Sequence, residues 1–129
     1  MKLMKCIFIL FLSTFIFCYV QSKSVYALGN VNWILLKENE KGKEWLDLGS
    51  IKNLKINEIS VLTKFYEKPK DIKGKGKTSL YVMRINCLKK EFKDLSINGI
   101  PNFNSKWQGS SDDPLIDVVI NKSCLEGGF

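Results

Sequence analysis

The chain has 129 residues, a formal net charge of +7, four cysteines and no histidine. The missing histidine excludes nucleophiles activated by a Ser-His or Cys-His pair, histidine general bases and most zinc sites. A single arginine, Arg84, and the lack of a glycine-rich loop between a strand and a helix argue against phosphate recognition. The conspicuous carboxylate pair, Asp112 and Asp113, precedes a proline and is typical of a helix start. We therefore expect no catalytic residue, no metal site and no cofactor, with a histidine-free hydrolase as the open alternative.

Residues 1–27 have the pattern of a secretory signal peptide. Lys2 and Lys5 precede an apolar run over residues 6–20, and the small residue Ala27 follows a short polar patch at the expected cleavage position. A retained membrane anchor is the alternative, but the apolar run is shorter than the ~20 residues that a spanning helix needs. We predict export, with no transmembrane span after processing.

The end of the apolar run indicates whether a lipid is attached. Phe17 precedes Cys18, whereas lipoprotein signals need a small residue at that position. We therefore predict no lipid anchor, and Ser22 offers a second possible cleavage point. The expected location is the periplasm, the cell surface or the medium, and not the cytoplasm.

Cleavage after residue 27 changes the charge and the cysteine count. The 20 basic residues become 17 while all 13 acidic residues stay, so the net charge falls to +4. Residues 28–129 then form a single small domain of roughly 100 residues. Cys6 and Cys18 leave with the signal, so a disulfide between Cys87 and Cys124 is predicted, as is common in small exported domains. A metal pair or a reactive thiol is the alternative, although two cysteines without histidine make a poor metal site.

Most of the mature chain has the period-two alternation of short strands. The predicted strands cover residues 31–37, 44–48, 59–67, 79–87 and 88–97, with a short piece at residues 100–103. Residues 52–58 are predicted to be polar linkage. Asn98-Gly99 indicates a type I′ hairpin, because both central positions of that turn need positive φ. Pro101 confines the strand that follows to an edge.

A helix is predicted after residue 110. Asp113 and its neighbours offer a capping side chain, and Pro114 suits the first helical turn. The apolar residues that follow share one arc at helical spacing and end near Gly127. They are Leu115, Ile116, Val119, Ile120 and Cys124. The prediction is an α+β fold: an antiparallel sheet of about five or six strands, with one C-terminal helix tied to one face by the disulfide.

These residues resemble the surface-adhesin protein E family of small exported bacterial domains, over about residues 33–124. The resemblance includes Trp33, the strand and turn at residues 46–51, Ile85-Asn86-Cys87, Trp107 and the closing helix at residues 111–124. It implies a sheet whose C-terminal helix is tied to the concave face by this disulfide. It also implies a non-enzymatic adhesin that binds host extracellular-matrix or plasma proteins. The alternative function is a periplasmic structural or inhibitory protein with no extracellular partner.

One predicted loop has a distinctive charge, and we call residues 68–77 the lysine loop. It holds five lysines and one acid, and the lysines are Lys68, Lys70, Lys73, Lys75 and Lys77. Such a loop could bind acidic, sulfated glycans, phosphorylated lipid headgroups or acidic proteins by charge. The alternative is a solvated turn whose lysines aid solubility and protect a sheet edge. Nucleic acid is not an expected partner, because the protein is exported and lacks an arginine-aromatic surface pattern.

Overall fold

The computed structural model of the chain describes residues 30–71, 73–110 and 113–129. The predicted signal peptide, its cleavage site and the lipid-motif position lie outside these residues. The described ranges hold seven strands and one helix, which we number in chain order. They are β1 Trp33–Glu38, β2 Gly42–Lys55, β3 Glu58–Glu67, β4 Lys77–Asn86, β5 Glu91–Ile97, β6 Ile100–Pro101, β7 Gln108–Gly109 and α1 Pro114–Glu126.

The strands form one antiparallel sheet in the order in which they occur along the chain. Each strand from β1 to β6 pairs with the next one, and β7 pairs with β5 beside the start of that strand. Antiparallel neighbours need only short hairpin connections, so a chain of this length can build the whole sheet without crossovers. The predicted fold class is confirmed.

The core lies between one face of the sheet, which we call the inner face, and α1. The alternation predicted for β4 is confirmed, since Met83, Ile85 and the following Cys87 are all buried. The full core cluster comprises Leu46, Ile59, Val61, Met83, Ile85, Cys87, Phe92, Val119, Ile120 and Cys124. Each large aliphatic side chain in such a core contributes about 1.5–3 kcal/mol through the loss of its contact with water.

The predicted disulfide joins the end of β4 to the helix. Cys87 and Cys124 are bonded, and their Cα atoms lie 5.6 Å apart, within the usual range of about 4.4–6.8 Å. Both cysteines are buried at the boundary between the sheet and α1. The bond closes a sequence separation of 37 residues, which on the chain-entropy model corresponds to about 4 kcal/mol of stabilisation. The helix is therefore tied to the inner face both covalently and by packing.

The prediction that residues 52–58 are polar linkage was wrong. β2 continues to Lys55 and pairs with β3 up to Glu58, with irregularities in register after Asp47 and after Asn53. Residues 52–56 are exposed, so their composition reflects solvent contact rather than the absence of a strand. The sequence also gave no sign of β7, whose two residues are both exposed.

The Asn98-Gly99 hairpin is confirmed, because these residues have φ values of 51° and 80°. The returning strand is shorter than predicted and ends at Pro101. The helix begins at Pro114, and the carboxylate of Asp113 accepts a hydrogen bond of 2.9 Å from the backbone N–H of Leu115. Asp112, the other acid of the predicted start, lies outside the described residues.

Candidate binding surfaces

The structure divides the five lysines of the lysine loop into two groups. Lys68 is anchored: its Nζ lies 2.7 Å from Glu38 Oε1 and donates a hydrogen bond of 2.9 Å to the carbonyl oxygen of Asn39. Glu38 also pairs with Lys43, and the hydrogen bonds from Lys68 and Lys43 lower the pKa of its carboxyl. Lys68 therefore ties the start of the loop to the β1–β2 hairpin.

The other four lysines are exposed. Lys77 is the first residue of β4 and is paired with Glu67 across the ladder. Lys70, Lys73 and Lys75 lie between the two strands, and none of them forms an ion pair with any residue that the structure describes. These three ammonium groups are the charges that the segment between β3 and β4 presents to solvent.

The sheet face opposite α1, which we call the outer face, carries an aromatic and basic cluster. The Nζ of Lys64 lies 4.7 Å from the ring centroid of Trp33 and 4.6 Å from that of Trp45. Lys64 is paired with Trp45 across the β2–β3 ladder, so the contact follows from strand register. Sequence reasoning did not single out this cluster, although Trp45 and Lys64 both occupy outward positions of the alternation.

The lone arginine is already engaged on the same face. Arg84 donates from Nε to Glu58 Oε2 at 2.7 Å, and its second guanidinium nitrogen also contacts this oxygen. Both side chains are partly buried. Two guanidinium nitrogens therefore donate to one carboxylate oxygen, and this charge-assisted pair holds the Arg84 side chain within the sheet.

A solvent-open cavity of about 260 Å³ lies between the inner face and the start of α1. We call it the acidic cavity, because three carboxyl side chains line it: Glu44, Asp94 and Asp113. The other lining residues are Thr63, Phe65, Tyr81, Phe92, Gln108, Leu115 and Ile116. Its walls are therefore mostly apolar and aromatic, with the acids at separate points.

Strand register explains how two of the acids face inward. Glu44 lies two residues before the core residue Leu46 and shares its side of β2. Asp94 is paired with the inward-facing Met83, next to an irregularity in the β4–β5 register. The third acid, Asp113, is the cap of α1. An inward-facing acid in an otherwise apolar alternation is the sequence signal for this cavity, and Glu44 was not among the predicted site residues.

Burial changes the chemistry of these acids. Glu44 is 3% exposed, and burial raises the pKa of its carboxyl to about 8; a hydrogen bond with the Thr63 side chain opposes the shift, and the charges of Asp113 and Asp94 add to it. Burial also raises the pKa of Asp94. Among the described residues, no group of three potential ligands is placed to hold a metal ion.

A second depression adjoins the cavity on the side of the lysine loop. It has a volume of about 580 Å³ and shares Phe65 and Asp113 with the acidic cavity. Lys68 and Lys70 line it together with Glu67. The anchored end of the lysine loop therefore lies beside the cavity.

Comparison with known proteins gives one match. The family model described as the surface adhesin-E family matches residues 34–128, a span that contains the disulfide, the lysine loop and the acidic cavity. No curated protein and no solved structure matches the chain. In the part of the chain that the structure describes, no helix is both long enough and apolar enough to cross a membrane.

Proposed function

The chain belongs to the surface adhesin-E family, and we propose that it is a non-enzymatic, exported binding module for host matrix or plasma proteins or for acidic glycans. The family indicates an adhesin-like role at or beyond the cell surface. The observation that carries the choice of partner is the set of three exposed ammonium groups at Lys70, Lys73 and Lys75, which form no ion pair with the residues that the structure describes. A tip of this charge attracts carboxylates and sulfates.

The loop is suited to steering a partner rather than to holding it. Flexible charges at the rim of an interface mainly raise the association rate, and their field is screened beyond roughly 8 Å at physiological salt. Lys68 fixes the start of the loop against Glu38. The three exposed lysines therefore act from a fixed base, close to the sheet.

We propose to test this with the triple variant Lys70→Ser, Lys73→Ser and Lys75→Ser in surface plasmon resonance against heparin and a panel of matrix and plasma proteins. The matched control replaces three other exposed lysines, Lys52, Lys55 and Lys89, with serine. Both variants lose three positive charges, so a difference between their association rates shows that the position of the replaced lysines matters.

We expect the loop variant to associate about tenfold more slowly at low salt, and the control variant to change much less. The difference should shrink as salt rises. Equal association rates for the two variants would leave the loop as a solvated turn and remove the basis for an acidic partner.

A further inference from the structure

The acidic cavity holds a buried carboxyl group without a balancing charge. The ion pairs of the described residues join Glu38, Glu58 and Glu126 to basic side chains, and none of them involves Glu44. The hydrogen bond with the Thr63 side chain opposes the rise in the pKa of Glu44, and the Thr63 hydroxyl donates to Met83 Sδ at 3.6 Å. Buried carboxylates are normally paired, because an isolated charge is costly away from water.

The charged groups of the described residues that act on Glu44 are both acidic. Asp94 faces it from β5 and Asp113 from the start of α1, and both oppose its ionisation. The remaining polar lining groups, Tyr81 and Gln108, come from β4 and β7, and neither is a basic side chain. A cation entering the cavity would therefore meet three acids and no lysine or arginine from the lining.

The size and the walls of the cavity limit what such a cation can be. Sites for drug-sized ligands measure about 300–1,000 Å³, so about 260 Å³ suits a smaller group. Phe65, Phe92 and Leu115 offer contact to an alkyl chain, and an ammonium group is further stabilised near aromatic faces. An extended chain of a few methylenes with one terminal charge matches this lining.

We propose that the acidic cavity binds a primary alkylammonium group of about the length of a lysine side chain, with its charge against Glu44 and its chain against the aromatic walls. The group could come from a free alkylamine or from a lysine side chain of a partner protein. The acidic cavity adjoins the depression lined by Lys68 and Lys70, but no residue of the lysine loop lines the cavity itself, so the proposal does not depend on the function proposed for that loop.

Binding of the amine is coupled to the release of a proton. In the free protein, Glu44 retains its proton near neutral pH because burial raises its pKa. The incoming ammonium ion stabilises the ionised form of Glu44. Glu44 therefore releases its proton to the buffer, and the resulting carboxylate forms an ion pair with the ammonium ion. Affinity should therefore rise with pH until Glu44 is ionised in the free protein, at a pH of about 8. The amine stays charged over this range, because its own pKa is about 10.

The test uses isothermal titration calorimetry on the mature domain, with n-butylamine and with Nα-acetyl-lysine amide. The neutral analogue 1-butanol controls for apolar binding. The variants are Glu44→Gln and Asp94→Asn, with Glu40→Gln as the control because Glu40 is exposed and lies outside the cavity lining.

We expect saturable amine binding whose dissociation constant falls by up to about tenfold between pH 6 and pH 7, with proton release in buffers of different ionisation enthalpy. Glu44→Gln should weaken binding at least about tenfold at pH 8 and remove the pH dependence. Asp94→Asn should weaken binding less, and Glu40→Gln should change neither the affinity nor its pH dependence.

Binding of butylamine alone would support a free amine as the source, and binding of both compounds would support a partner's lysine. If neither amine binds in the millimolar range, or if butanol binds as well as butylamine, the proposal is overturned. If Glu44→Gln fails to fold, the pH dependence of amine binding by the wild type and the affinity of the Asp94→Asn variant still test the proposed site.

Discussion

Replacing Glu44 with glutamine should change how the stability of the domain depends on pH. In the wild type, burial raises the pKa of this carboxyl from 4.5 to about 8. Below pH 4.5 the group is protonated in both the folded and the unfolded chain, so it does not make the free energy of unfolding depend on pH. Between these two values the unfolded chain loses the proton while the folded chain keeps it, so the free energy of unfolding falls as pH rises. Above pH 8 the loss is complete.

The magnitude follows from the size of the shift. Each pKa unit corresponds to about 1.4 kcal/mol, so the whole shift corresponds to about 5 kcal/mol. The cavity is open to solvent, and water at its mouth lowers the cost of ionising the group. We therefore expect about 2–3 kcal/mol of stability to be lost between pH 4.5 and pH 8 through Glu44. Glutamine has a similar shape and no ionisable proton, so the variant should not show this loss.

The assay is urea denaturation of the wild type, Glu44→Gln and the exposed control Glu40→Gln over pH 4.5 to 8.5. The quantity compared is the difference in free energy of unfolding between each variant and the wild type, because the contributions of carboxylates that do not act on Glu44 cancel in it. This difference should grow in favour of Glu44→Gln as pH rises and stay constant for Glu40→Gln. Parallel curves for the wild type and Glu44→Gln would refute the reasoning.

Two further predictions concern processing and the disulfide. Replacing both Cys87 and Cys124 with serine should lower the free energy of unfolding by about 2–4 kcal/mol, and hydrogen exchange should increase first in α1; two free thiols in the exported protein would contradict this. The mature chain should begin near Leu28 and carry no lipid, because Ala27 fits the cleavage site and Phe17 spoils a lipid motif. Intact-mass measurement checks it, and a diacylglycerol adduct on Cys18 would show it to be wrong.

The parts of the fold that the sequence predicted are those with one buried face. β4 alternates because its inner residues Met83 and Ile85 are buried while its outer residues are partly solvated. The helix was predictable for the same reason, since Val119, Ile120 and Cys124 repeat at helical spacing and are buried. Burial of one face makes apolar residues recur in the sequence at the period of the strand or helix.

The parts that were missed are held by other forces. The end of β2 is exposed and is kept in the sheet by ladder hydrogen bonds to β3, which leave no hydrophobic pattern. The acidic cavity joins Glu44 on β2 to Asp94 on β5 and Asp113 at the helix start, and these positions meet only once the sheet is assembled. An acid on the inner side of a strand is visible in the sequence, but its neighbours are set by register and by the irregularity beside Asp94.

The proposed function requires that this domain is a binding module displayed outside the cell. The most direct measurement is labelling of intact and of permeabilised cells with an antibody against the folded domain, in the organism that expresses it. We predict that intact cells, or the medium around them, contain most of the labelled protein. Labelling that appears only after permeabilisation would contradict the claim and favour a periplasmic structural or inhibitory protein.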